Sequence, residues 1–175
     1  MGTERSAELK LPTTAVGVRL AMLGGGAAAP AELFVADAPG RTRMQLVDDV
    51  AEMLGRDDMF VPVRAANRVR LLGKHAIAWV AIRRRGEEGE PLELEETLEE
   101  HSLYDRQHRV ELELVHGTKL IGTMLDSSPA DRPRVIDHLN RSGRFVRLWT
   151  TEEHYLINTT QVVAVTELPG SEGAK

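Results

Sequence analysis

The chain contains no cysteine, which excludes disulfides, thiolate metal sites and cysteine nucleophiles together. Aromatic residues make up only 4% of its 175 residues, so exposed platforms for stacking nucleic-acid bases are scarce. Lysine stands at only four positions, 10, 74, 119 and 175, and the other basic residues are arginine. That bias reads as genomic base composition rather than phosphate recognition. No run of about 18 apolar residues exists, so no transmembrane helix is expected. Leu20 to Ala29 (LAMLGGGAAA) is too brief an apolar run for a secretory leader, with Arg19 against it and Glu4 and Glu8 before it. The expectation is a protein of the bacterial cytoplasm with no membrane partner.

What is present is an ordinary globular balance, with 42% hydrophobic and 28% charged residues and a formal net charge of −5. The acidic excess sits in residues 83–106, which open RRRGEEGEP and continue LELEETLEEHSLYDR. Outside that stretch acidic and basic residues balance, so the global electrostatic footprint of a nucleic-acid binder is missing. The stretch reads as a solvated acidic linker or surface helix between residues 1–82, with a tail at 1–13, and residues 107–175, with a tail at 169–175.

An internal repeat organises the rest. A shift of 85 positions lays Val50 to Ile82 on Val135 to Glu167 without a gap, matching Val50, Leu54, Arg56, Phe60, Val61, Leu71 and Val80 with identical residues. Val63, Leu72 and Ile77 fall on Leu148, Ile157 and Val162, keeping apolar side chains where a core needs them. Gly55 falls on Asn140 and Gly73 on Asn158, which predicts a left-handed backbone position shared by both copies.

Each copy then reads in one order. Val16, Val18 and Leu20 alternate with small or polar residues, as Val110, Leu112 and Leu114 do, predicting an opening strand in each half. Second strands follow at Glu32 to Ala36 and Leu120 to Leu125. A helix comes next: Thr42 and Gln45 form a capping box ahead of Met44, Val47, Val50, Ala51 and Leu54, with Gly55 at its end. In the second copy Ser128, Pro129 and Asp131 suit a helix start and Asn140 its close. Three strands complete each unit, at Phe60 to Val63, Val69 to Leu72 and Ile77 to Ile82, and at Phe145 to Trp149, His154 to Ile157 and Val162 to Leu168. The fold class is α+β: two tandem ββαβββ repeats, small bent-sheet or barrel-like units packed as a pseudo-symmetric pair.

No constellation of residues points to catalysis. Gly24, Gly26 and Ala29 fit G-x-G-x-x-A, but Pro30 and a strand follow where a helix must open to face pyrophosphate. The histidines at 75, 101, 108, 116, 138 and 154 lack helical ligand spacing, and Asp57-Asp58 reads as an exposed turn. Ser127-Ser128 lacks a nucleophile elbow. The expectation is therefore no enzyme, with no catalytic, cofactor or metal residue assigned.

Arg64 to Arg68 (R-x-x-x-R) with Asp126 to Ser128 (D-x-S) loosely resembles the signature of PilZ domains, which implies a cyclic-dinucleotide receptor as a minor alternative; the two pieces fall in different repeats. VELELVHGTKLIGTMLD from Val110 to Asp126 resembles the first signature of Sm-like proteins through Val110, Leu112, Gly117, Leu120, Gly122 and Asp126. LLGKHAIAWV and LINTTQVVAV are faintly similar to the second. This resemblance implies small β-barrels and, as an alternative function, nucleic-acid binding through a patch from Arg64, Arg68, Arg70, Arg134, Arg141, Arg144 and Arg147. Phe60 and Phe145 read as core, Trp79 and Trp149 as packed side chains or interface anchors. The leading expectation is a protein-interaction or regulatory adaptor whose partner is another protein, bound at sheet edges such as Val16 to Leu23 and Val110 to Val115. The oligomeric state is left open.

Overall fold

The computed structural model describes residues 12–24, 26–84, 106–126 and 134–169. Among these residues ten strands and two helices follow one another in a ββαβββ succession that occurs twice. The first half holds β1 (Thr13–Met22), β2 (Ala29–Ala36), α1 (Arg43–Gly55), β3 (Phe60–Ala65), β4 (Arg68–Gly73) and β5 (Ile77–Arg83). The second holds β6 (Arg106–Leu114), β7 (Lys119–Asp126), α2 (Val135–Arg141), β8 (Phe145–Trp149), β9 (Glu153–Asn158) and β10 (Val162–Glu167). Short 3₁₀ turns, Lys74–Ala76 and Thr159–Gln161, precede β5 and β10.

All ten strands belong to one antiparallel sheet in the order β10-β6-β7-β8-β9-β5-β1-β2-β3-β4. The sheet is open. The expected barrel-like units are thus replaced by a single sheet, because β9 and β5 pair across the junction instead of each half closing on itself. Within each half the strand order is the same, β5-β1-β2-β3-β4 and β10-β6-β7-β8-β9.

Local sequence explains the elements. In β1, Val16, Val18 and Leu20 alternate inward, the period-2 pattern of a strand with one buried face. The capping box of α1 is formed: Thr42 Oγ1 accepts from the Gln45 amide at 3.2 Å, and Gln45 Oε1 accepts from the Thr42 amide at 3.0 Å. The buried stripe Val47, Val50 and Leu54 then faces the core. At the other end of α1, Lys74 reaches in from its 3₁₀ turn and donates Nζ to the carbonyls of Met53 (2.7 Å) and Arg56 (2.9 Å). An ammonium there satisfies carbonyls that the helix cannot, at the negative end of its dipole. The second helix is shorter than expected, with Arg134 at its N-cap; Ser128 and Pro129 lie outside the described residues.

Two cores result. The first gathers Val16, Leu20, Leu33, Val50, Leu54, Val63 and Ile82; the second gathers Val110, Leu112, Met124, Val135, Val146 and Leu148. Each borrows across the junction: Leu156 of β9 enters the first core, while Ala78, Trp79 and Ala81 of β5 enter the second. This is why Ile77 to Ile82 and Glu153 to Asn158 are buried throughout rather than alternating.

The left-handed positions expected at paired Gly and Asn do not occur. Gly73 has φ −66° and Asn158 φ −65°, and neither Gly55 nor Asn140 has positive φ. At 73 and 158 both residues precede a 3₁₀ turn in extended backbone. Among the described non-glycine residues positive φ falls instead at Ala66 (47°) and Asn67 (58°), the two central residues of the β3–β4 hairpin, as a type I′ turn requires.

Candidate functional site

The opening strands of the two halves are not edges. β1 lies between β5 and β2, and β6 between β10 and β7, so neither can accept a further strand. The reason is that the last strand of each half folds back onto the first, β5 onto β1 and β10 onto β6. Among the described residues the edges of the sheet are β4 and β10.

On β4 the four consecutive residues Arg68, Val69, Arg70 and Leu71 are exposed. The strand is held on one side only, by β3, with Leu71 opposite Pro62 and Val69 opposite Arg64. Phe60, at the start of β3, is also exposed, contrary to its expected core role. On β10 only β6 pairs, and Val163, Ala164, Thr166 and Glu167 are exposed.

The covered counterpart of these edges is the junction between β5 and β9. Antiparallel pairing runs from Trp79 opposite Ile157 to Arg83 opposite Glu153, with Val80 opposite Leu156. Arg19 Nε donates to Glu153 Oε1 at 2.8 Å, Nη2 contacts Glu153 Oε2, and the Tyr155 hydroxyl donates to Oε2 at 2.7 Å. Burial pushes the Glu153 carboxyl up, but the hydrogen bonds from Arg19 and Tyr155 outweigh it and hold the group below its usual range. Burial, reinforced by the bond to Glu153, pushes the Tyr155 phenol up to about 12. Trp79 meets Tyr155 edge to face at 5.3 Å, with the Arg19 guanidinium 5.6 Å from the Trp79 ring. Asn158 Nδ2 donates to the Ile77 carbonyl at 3.0 Å.

A second feature is a groove of about 740 Å³ over β1, β2 and the β3–β4 turn, with Arg19, Arg43, Arg64 and Arg83 in its wall. Arg19 is engaged as described, and Arg64 pairs with Glu32 at 2.9 Å, its guanidinium 4.8 Å from the Phe34 ring. The other arginines of the expected basic patch lie on different elements. Arg68 and Arg70 are on β4, Arg134 stands at the N-cap of α2 and Arg141 ends it, and Arg144 precedes β8 while Arg147 lies on it, paired to Asp48 at 2.5 Å. Strands β3 and β8 are five places apart in the sheet, so the seven do not form one surface. Asp126, on β7, is likewise remote from Arg64 and Arg68.

The remaining candidates separate. Gly24 has φ 105° in the β1–β2 loop, which leads into a strand and not a helix. His116 accepts from the Gly24 amide at 3.1 Å, His108 lies 3.1 Å from Glu167, and His154 is buried with its ring edge-on to Trp149 at 4.3 Å. His101 and Ser127-Ser128 lie outside the described residues, as does most of the acidic linker. Among the described residues no group of three potential metal ligands comes together. Both tryptophans are buried. Sequence reasoning missed the Arg19–Glu153–Tyr155 cluster and buried Lys74; the only signal for the latter was the rarity of lysine.

No helix among the described residues is long and apolar enough to cross a membrane. Comparison with protein-family models, with curated proteins and with solved structures finds no match to this chain.

Proposed function

We propose that the chain is a non-enzymatic protein-interaction module, an adaptor or regulatory protein of the bacterial cytoplasm, built from two ββαβββ repeats packed as a pseudo-symmetric pair. It engages its partner by strand addition at the outer margins of its sheet. The observation that carries this reading is β4, an edge strand that no described strand pairs on its outer side, with Val69 and Leu71 exposed beside Phe60. Sheets that must stay alone blunt their edges with charge, proline or a covering segment. Arg68 and Arg70 supply charge here, yet the alternate positions are large aliphatics. A docked strand gains main-chain hydrogen bonds from the edge and selectivity from such alternating side chains.

The arginine-walled groove supports a second reading, nucleic-acid binding, since guanidinium groups are suited to phosphate. Arg64 and Arg19 of its wall are committed to Glu32 and Glu153, which leaves less charge for a polyanion. The two readings part in one experiment: affinity purification of the tagged full-length chain, with and without nuclease, beside Leu71→Asp. Strand addition expects a stoichiometric protein partner that survives nuclease and is lost with Leu71→Asp. Nuclease-sensitive recovery of nucleic acid by both forms overturns it in favour of the groove.

A further inference from the structure

The partner that fits these edges is present already within the molecule, as the other half of the chain. Pairing registers fix which residues correspond: Leu20 stands opposite Val80 as Leu112 stands opposite Val165, and the shift of 85 carries β3 to β5 onto β8 to β10. By that correspondence the junction strand β9 is the counterpart of the free edge β4, and the junction strand β5 is the counterpart of the free edge β10. The chain therefore contains one complete β9·β5 interface and carries its two unmatched equivalents at opposite ends of the sheet.

Side chains at these positions behave as an open interface should. Leu156 is fully buried, inserted from β9 into the first core; its counterpart Leu71, an identical residue, is 71% exposed. Phe145 packs against the first core, whereas its identical counterpart Phe60 is 55% exposed. On the receiving strand, Val80 is fully buried and its identical counterpart Val165 only partly, while Ala78 is buried and its counterpart Val163 is 62% exposed. Charge is matched too, with the signs exchanged. The Arg19–Glu153 pair that spans the junction corresponds to Glu111 on β6, which within its own chain accepts from Lys119 Nζ at 2.7 Å and keeps its second carboxylate oxygen for a further cation, and Arg68 on β4.

We infer that the chain assembles head to tail with further copies of itself, β4 of one copy adding antiparallel to β10 of the next with Leu71 opposite Val165 and Arg68 against Glu111. Leu71 and Phe60 then enter the second core of the neighbouring copy, as Leu156 and Phe145 enter the first core of their own chain. This rests on the edge-binding reading above and names its partner. Such a contact is heterologous, so copies add until the rotation between them closes a ring or extends a filament. The interface is lighter than the one inside the chain, because Trp79 and Tyr155 are represented by Ala164 and Arg70.

The test is sedimentation and light scattering of the full-length chain from about 1 to 100 μM, a span that brackets an ordinary reversible contact. The expected result is mass in whole multiples of 19.4 kDa, increasing with concentration. Leu71→Asp, at a solvent-exposed site, should keep the far-ultraviolet spectrum while weakening association at least about 100-fold, since it places an unpaired charge in the contact. Arg68→Glu and Glu111→Arg put like charges together and should each weaken association by about tenfold. Mixed in equal amounts the two restore it, because every contact in an alternating assembly is again complementary. A chain that stays monomeric throughout, assemblies indifferent to Leu71→Asp, or a mixture no better than its components would each overturn the inference. If the chain is monomeric while Leu71→Asp still abolishes capture of a different protein, edge binding stands and self-association falls; if neither responds, both fall.

Discussion

Replacing Lys74 by methionine tests the account of how α1 is held. The side chain is 1% exposed, and its ammonium donates to the carbonyls of Met53 at 2.7 Å and Arg56 at 2.9 Å. Methionine fills a similar volume but leaves both carbonyls without that donor. Each lost hydrogen bond from a charged group costs about 1.5–3 kcal/mol, and relief of the buried ammonium's desolvation offsets part of the total. A net loss of about 2–4 kcal/mol follows, and for a chain of this size each kcal/mol lowers Tm by about 2–4 °C. Calorimetry at pH 7 should therefore read a Tm about 5–15 °C lower. Burial also lowers the Lys74 pKa from 10.5, so on acidification the unfolded chain takes up this proton first. Stability of the native protein should fall as pH drops from above 10.5 toward that lowered value, and the methionine variant should lack this slope. A Tm unchanged within 2 °C, roughly half a kcal/mol, would refute the capping role.

His154 and Gly122 give two more expectations. Burial, then the nearby Arg84, Arg147 and Arg43, lowers the His154 imidazole to about 3, against 6.5 in the unfolded chain. The unfolded state alone binds the proton between those values, so stability is full above pH 6.5 and falls by up to about 1.4 kcal/mol per unit below it. Denaturant titrations from pH 7 to 5 should show that slope, and His154→Val, the residue found at the corresponding position 69, should flatten it; equal slopes would dismiss His154 as the cause. For Gly122, a Cβ would lie 2.5 Å from the Trp149 carbonyl oxygen and 2.8 Å from Leu148 Cγ. Gly122→Ala must push β7 from β8 next to their Thr123–Trp149 pairing, costing about 1–3 kcal/mol in urea denaturation. No loss of midpoint would mean that these strands are free to shift.

The elements were legible because each carries a local signal. Period-2 alternation marked β1, Thr42 and Gln45 marked the start of α1, and the shift of 85 revealed that β3 to β5 recur as β8 to β10. Closure was not legible. Whether β5 turns inward to its own half or outward to β9 depends on long-range pairing, and the residues at that contact look alike in both cases. Phe60 and Phe145 illustrate the difficulty: identical residues in aligned strands, one exposed and one packed, because only the second lies beside the junction. Glu153 and His154 are polar residues of β9 and yet are buried, Glu153 because Arg19 reaches it from β1, 134 positions away, and Tyr155 from the same face of its own strand.

The same contrast bounds how tightly copies can hold one another. Fully burying Leu71 and Phe60 stabilises an assembly by about 1.5–3 kcal/mol each, while association costs at least about 4 kcal/mol in lost rigid-body freedom. Two side chains alone therefore come close to break-even. What remains must come from the ladder of main-chain bonds along β4 and β10, the Arg68–Glu111 contact and the further burial of Val165 and Val163. A short, partly charged edge of that kind gives a reversible contact sensitive to concentration and salt. The junction inside the chain escapes the rigid-body cost because its strands are covalently connected, and it adds Trp79, Tyr155 and the Arg19–Glu153 pair. One interface design thus serves in two regimes, permanent where the chain supplies both strands and exchangeable where a second copy must.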